Sequence, residues 1–107
     1  MYSYVYFITD GHGHIKIGKA DDVVSRLNEL QTGNPFKLHT LLSIIVNSKR
    51  EAFNLELSLH KKFKEYRLEG EWFEEKPVFE FIDKEYIEID NFKFGGLKYG
   101  KEIKNDL

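Results

Sequence analysis

The chain has 107 residues, 41% of them hydrophobic and 15% aromatic, enough for one domain with a genuine core. It has no cysteine, which excludes a disulfide framework and a thiolate metal site and fits a reducing, cytoplasmic setting. No apolar run reaches membrane-spanning length, so no membrane partner is expected, and Met1 leads into a strand pattern without a basic leader. The net charge of −2 argues against a strongly electrostatic nucleic-acid binder. The charge is uneven, however: residues 1–68 hold ten Lys/Arg against seven Asp/Glu, whereas residues 69–107 hold six against eleven. A basic face on the first part is compatible with an acidic total.

Residues 4–18 read as a β-hairpin, two β-rich runs around the Asp10-Gly11-His12-Gly13 break. Alternation places Val5 and Phe7 on one face, and Ile15 and Ile17 on one face. Burying all four together predicts the pairs Val5–Ile17 and Phe7–Ile15 and sets Tyr6 opposite Lys16. A phenol beside an ammonium is favoured as phenolate.

Asp21 or Asp22 then caps a helix whose inner face is Val23, Val24, Leu27, Leu30 and Gln31, with Arg26 at its edge. Gly33 and Pro35 end it. Residues 38–46 form a third, strongly apolar strand with His39 near its start. Asn47 or Ser48 opens the longest helix, residues 49–66, with the stripe Ala52, Leu55, Leu59, Phe63 and Tyr66. Glu56 lies inside that stripe, where an ionised carboxylate is costly without a partner. It either lies beneath a bound cation or pairs with an arginine such as Arg26. His60 follows one turn later, placed either to share a metal with Glu56 or to form a structural hydrogen-bonded pair with it.

Gly70-Glu71-Trp72-Phe73 is a turn leading into two aromatic anchors, both expected in the core near Leu59 and Phe63. Glu71 reads as a strand-end surface residue, with a metal carboxylate as the alternative. Val78, Phe79, Ile82, Tyr86 and Ile89 fit a helix starting near Pro77 and stopping before Asp90. The expected organisation is one domain over 1–94 and a loosely held tail over 95–107.

Four short motifs in this order resemble the GIY-YIG nuclease superfamily. They are Tyr4-Val5-Tyr6 with Ile15-Lys16-Ile17-Gly18-Lys19; Arg26-Leu27 with Leu30-Gln31-Thr32-Gly33-Asn34-Pro35; Glu56 with His60; and Gly70-Glu71-Trp72-Phe73. Within that superfamily the chain is most similar to the small phage and bacterial T5orf172 type, over roughly residues 2–75. The resemblance implies an α+β fold, a small three-stranded antiparallel sheet flanked by helices, with the site on one sheet face. It implies a metal-dependent endonuclease that hydrolyses nucleic-acid phosphodiesters, DNA foremost, with one Mg²⁺ or Mn²⁺, in the host cytosol if phage-encoded. By position, Tyr6, Lys16, Arg26 and His39 would be catalytic and Glu56 would hold the metal, with His60 and Glu71 as secondary candidates. Tyr4 stands where the namesake motif has glycine, Lys16 where it has the second tyrosine, and Asn91 is a poor match to a late asparagine. The alternative is a non-catalytic module of the same fold that engages nucleic acid or a host protein. No appended DNA-binding region is visible, so low sequence specificity or a targeting protein partner is expected.

The chemistry is coherent on its own terms. Cleaving a phosphodiester needs an activated water and neutralised charge. A free phenol, with a pKa near about 10, is a poor base unless a cation such as Lys16 lowers it. Arg26 can clamp a phosphate with two hydrogen bonds, and Glu56 supplies a hard oxygen ligand for Mg²⁺.

Overall fold

Val5, Tyr6, Phe7 and Ile8 are all buried, so their strand needs cover on both faces and partners on both edges. The computed structural model, which describes residues 2–87 and 101–104, supplies both. Strand β1 (Ser3–Thr9) lies at the sheet centre, antiparallel to β2 (His14–Ala20) on one side and to β3 (His39–Val46) on the other. The short β4 (Trp72–Glu74) joins β2 antiparallel, and β5 (Lys101–Lys104) runs parallel to β3 on the far edge. The sheet order is β4-β2-β1-β3-β5. The α+β class holds, but four antiparallel strands replace the expected three. A three-residue strand is too short to show a period, so β4 escapes a pattern search. Part of the expected tail, Lys101–Lys104, lies along β3; Ile89 and Asn91 fall outside the described residues.

Alternation sends the two halves of each strand to different layers. Val5, Phe7, Ile15, Ile17 and Phe73 pack against helix α2 (Lys49–Lys62) and helix α3 (Glu75–Ile82), meeting Ala52, Leu59, Phe63, Val78 and Ile82. Tyr6, Ile8 and Leu38 pack against helix α1 (Val23–Gln31) through Val23, Leu27 and Leu30. The Ser25 amide donates to Asp22 Oδ1 and the Glu51 amide to Ser48 Oγ, so both helices start on expected side-chain caps. Three stripe residues, Val24, Tyr66 and Phe79, are exposed instead of buried. Each lies at the rim of its helix's apolar arc, and for Tyr66 the α-helix ends at Lys62 and tightens into a 3₁₀ turn over Lys64–Tyr66. Among the described residues, no helix is long and apolar enough to cross a membrane.

The hairpin register differs from the expected one by two residues. Phe7 faces Ile17, Thr9 faces Ile15, Ile8 faces Lys16, and Tyr6 faces Gly18. A two-residue shift keeps every side chain on its face, so the hydrophobic pattern tolerates both registers. Side-chain volume decides between them. The Tyr6 phenol lies across Gly18, and a Cβ there would overlap its oxygen and stand 2.5 Å from its Cζ. Lys16 opposite Tyr6 would put a side chain where the ring now lies.

Trp72 and Phe73 part company for the same alternating reason. Phe73 is fully buried with Leu59 and Phe63, as expected. Trp72 points to the other face and is only partly buried beside Tyr6 and Ile8. Truncating Phe73 to alanine should cost about 3–5 kcal/mol in chemical denaturation, and Trp72→Ala distinctly less. Gly18→Ala should cost about 1–3 kcal/mol through overpacking, and pairing it with Tyr6→Ala should remove most of its added cost.

Candidate nucleic-acid cleavage site

Strand β4 covers β2 only from His14 to Lys16. Beyond it the β2 edge is finished by two other groups. The Ile17 amide donates to the Glu71 carbonyl at 3.0 Å, and the Ile17 carbonyl accepts from His60 Nε2 at 2.8 Å. Glu71 thus arrives in the plane of the sheet, from the turn before β4. His60, with Glu56 one turn before it, arrives from α2 on one face. Tyr6 reaches the same edge from the other face, across the bare backbone of Gly18, with Arg26 of α1 above it.

The Arg26 guanidinium lies beside the Tyr6 phenol, and its Nη1 donates to Glu29 Oε1 at 3.1 Å. It is therefore not the partner of Glu56. Lys16, almost fully buried, places its ammonium 3.2 Å from Glu71 Oε1 and 5.8 Å from the Trp72 ring centre. Tyr6 feels the charges of Arg26, Glu71 and Glu56, and Glu56 those of Glu71, His60, Lys19 and Lys16. Tyr6, Lys16, Arg26, Glu56, His60 and Glu71 therefore converge. His39 does not join them. It pairs with Thr9, on the α2 face by register and three residues along β1 from Tyr6, about 10 Å at strand spacing.

Two residues without an assigned role in the sequence reading belong to this edge. Gly18 gives Tyr6 its passage, and Lys19 contributes positive charge near Glu56. Both sit in the Ile15–Lys19 motif. A glycine interrupting a strand is itself a sign of close approach.

The electrostatics correct one expectation. Burial raises the Tyr6 phenol above its ordinary value, and the neighbouring Arg26 only partly opposes this. Lys16 is paired with Glu71 instead, so Tyr6 stays a neutral phenol at neutral pH. Burial also raises the Glu56 carboxyl, reinforced by the nearby Glu71 charge and opposed by His60, Lys19 and Lys16.

Glu56, His60 and Glu71 each offer a ligand atom, all within 4.8 Å of one another, a set that can hold a metal ion. The donor chemistry fits. His60 Nε2 donates to a backbone carbonyl, which leaves the lone pair on Nδ1 and fixes the ring, as in many metal-ligating histidines. Two carboxylates with one imidazole suit a divalent cation, and Lys16 orients one of the carboxylates.

The raised carboxyl makes a signed prediction. With its folded-state pKa above the unfolded value, ionised Glu56 weakens the metal-free fold progressively as pH rises from about 4.3. In chelator at pH 7, Glu56→Gln should therefore melt at or above wild type, and the difference should vanish below about pH 4. Added Mg²⁺ or Mn²⁺ should raise the wild-type melting temperature and leave Glu56→Gln unmoved. Calorimetry across pH, with and without metal, measures both.

No curated protein and no solved structure matched this chain. The model of the T5orf172 domain, a nuclease-like family, matches residues 1–92. That match takes in every strand and helix that builds the β2 edge, and the chain belongs to the T5orf172 domain family.

Proposed function

We propose that this protein is a metal-dependent endonuclease hydrolysing nucleic-acid phosphodiesters, DNA foremost. The observation that carries the reading is the convergence of Tyr6, Arg26, Lys16, Glu56, His60 and Glu71 at one sheet edge from β1, α1, β2, α2 and the turn before β4. Packing alone gives no reason to gather two carboxylates beside three cations, counting Lys19. The nuclease-like family theme and the motif resemblance to GIY-YIG enzymes support the same reading.

Arg26 has a fork of donors held by Glu29 beside the Tyr6 phenol, so it can meet a phosphate oxygen with little added ordering. Burial keeps the proton on Tyr6 despite the neighbouring Arg26, so it acts as a hydrogen-bond donor to a phosphate oxygen or an attacking water, not as a phenolate base. Lys16 and Lys19 add positive charge where negative charge builds during in-line displacement. Glu56, His60 and Glu71 would hold the cation, which would supply Lewis acidity toward a phosphoryl oxygen and toward water. His39 has no part in this reading.

The test is incubation with plasmid, single-stranded DNA and RNA, in Mg²⁺, Mn²⁺ or chelator. Wild type should cleave only with metal. Glu56→Gln should lose cleavage by orders of magnitude yet bind nucleic acid in chelator at least as well as wild type, because one repulsive charge is gone. Arg26→Ala should lose most cleavage and little affinity, since one phosphate contact is a small share of binding. Nucleic-acid binding without cleavage under any metal would leave the non-catalytic module and remove the enzyme.

A further inference from the structure

On the Tyr6 side of the sheet, beyond Trp72, lies a cavity of about 350 Å³ that the cleavage reading does not use. Its walls include Phe36, Leu68, Trp72, Asp10 and Glu69. Phe36 is stacked on the His12 ring, centroids 3.8 Å apart, yet remains 39% exposed; Leu68 is 50% exposed. Two aromatic rings and an aliphatic side chain are thus held around one opening and left facing water. The Phe36 ring is rigidly mounted. Besides the His12 stack, its amide donates to Asn34 Oδ1 at 3.0 Å and its carbonyl accepts from Gln31 Nε2 at 2.9 Å.

We infer that this cavity takes an unpaired nucleobase of the nucleic-acid substrate, stacked against Phe36 and Trp72, beside the phosphate held at the β2 edge. The inference rests on the cleavage reading for the identity of the ligand. Three observations select a base over other occupants. First, the cavity volume falls in the range of small-ligand sites, and its flat aromatic walls suit a π-face. Second, the charged and titratable groups of the walls are the Asp10 and Glu69 carboxylates and the His14 ring, which is turned onto Asp10 Oδ2 at 2.6 Å, with no lysine or arginine among the lining residues. Burial opposes ionisation of Asp10, but the amides of His12 and His14 and the His14 ring outweigh it and hold its carboxyl low. Two carboxylates in the walls disfavour a phosphate, while the exposed Glu69 carboxylate can accept from the amino edge of a base. Third, the cavity adjoins the candidate site. Trp72 forms its wall and lies next in sequence to Glu71 of the metal-ligating set, and the Lys16 ammonium lies between them. One nucleotide can therefore present its phosphate to the cations and its base to the cavity. A base buried in a duplex stack cannot enter, so the preferred substrate carries an unpaired nucleotide at or beside the cleaved bond.

Trp72 is the sole tryptophan, so its fluorescence reports on the cavity directly. The experiment titrates full-length protein in chelator with a short single-stranded deoxyoligonucleotide, with an abasic strand of equal length and charge, and with a fully paired duplex. The base-bearing strand should quench Trp72 and bind about tenfold more tightly than the abasic strand, which should leave the emission unchanged, as should the duplex. Phe36→Ala, checked for an unaltered melting temperature, should lose about tenfold for the base-bearing strand alone, and Phe36→Tyr should restore it. Equal affinities without quenching would overturn the cavity assignment even if metal-dependent cleavage is present. Quenching and the Phe36 effect in a protein that never cleaves would support the cavity and overturn only catalysis.

Discussion

The phenol of Tyr6 occupies the space that a side chain at position 18 would need, and much of the structure follows from that contact. It sets the pairing of the two N-terminal strands at Tyr6 opposite Gly18. That pairing carries Lys16 to Ile8 on one side and to Trp72 on the other, within reach of Glu71. It also places the Ile17 backbone at the edge, where Glu71 and His60 complete its hydrogen bonds. A glycine with a structural duty therefore doubles as the opening through which groups on opposite sheet faces come together.

The resulting site is poised by opposed charges. Glu56 is raised by burial and by Glu71, while Lys16 and Lys19 draw it back. A lone carboxylate in such a place is a burden on folding. A divalent cation reverses the sign of that burden, because the same burial that disfavours a bare carboxylate strengthens its attraction to a metal. Burial also keeps Tyr6 protonated despite the neighbouring Arg26, which restricts it to hydrogen bonding. The arginine, ion-paired with Glu29 beside the Tyr6 phenol, presents a planar fork of donors at this edge.

Trp72 connects this edge to the neighbouring cavity. Its backbone belongs to β4, its ring lies near the Lys16 ammonium, and it forms part of the cavity wall. The same alternation that removes it from the main core leaves it available to a ligand, while Phe73 anchors the strand from behind.

Much of this was legible in the residues. Strand alternation, helix caps and the apolar stripe of α2 are local properties, encoded at periods of two and 3.6, and they placed β1, β2, β3, α1 and the start of α2, which ends at Lys62, short of the expected residue 66. The misplaced carboxylate in that stripe, Glu56, singled itself out because burying charge is expensive. Tertiary structure alone decided the rest. A shift of two residues leaves an alternating pattern unchanged, so the hairpin register awaited the volume of Tyr6 against Gly18. The fourth strand was too short to declare itself, and with it went the opposite facing of Trp72 and Phe73. His39 lies near Tyr6 in neither face nor position, because register and not sequence distance determines what meets across a sheet. The pairing of Lys16 with Glu71 has the same origin: electrostatic partners are chosen by geometry in three dimensions, and a turn fifty-odd residues away brings its carboxylate to 3.2 Å from the Lys16 ammonium.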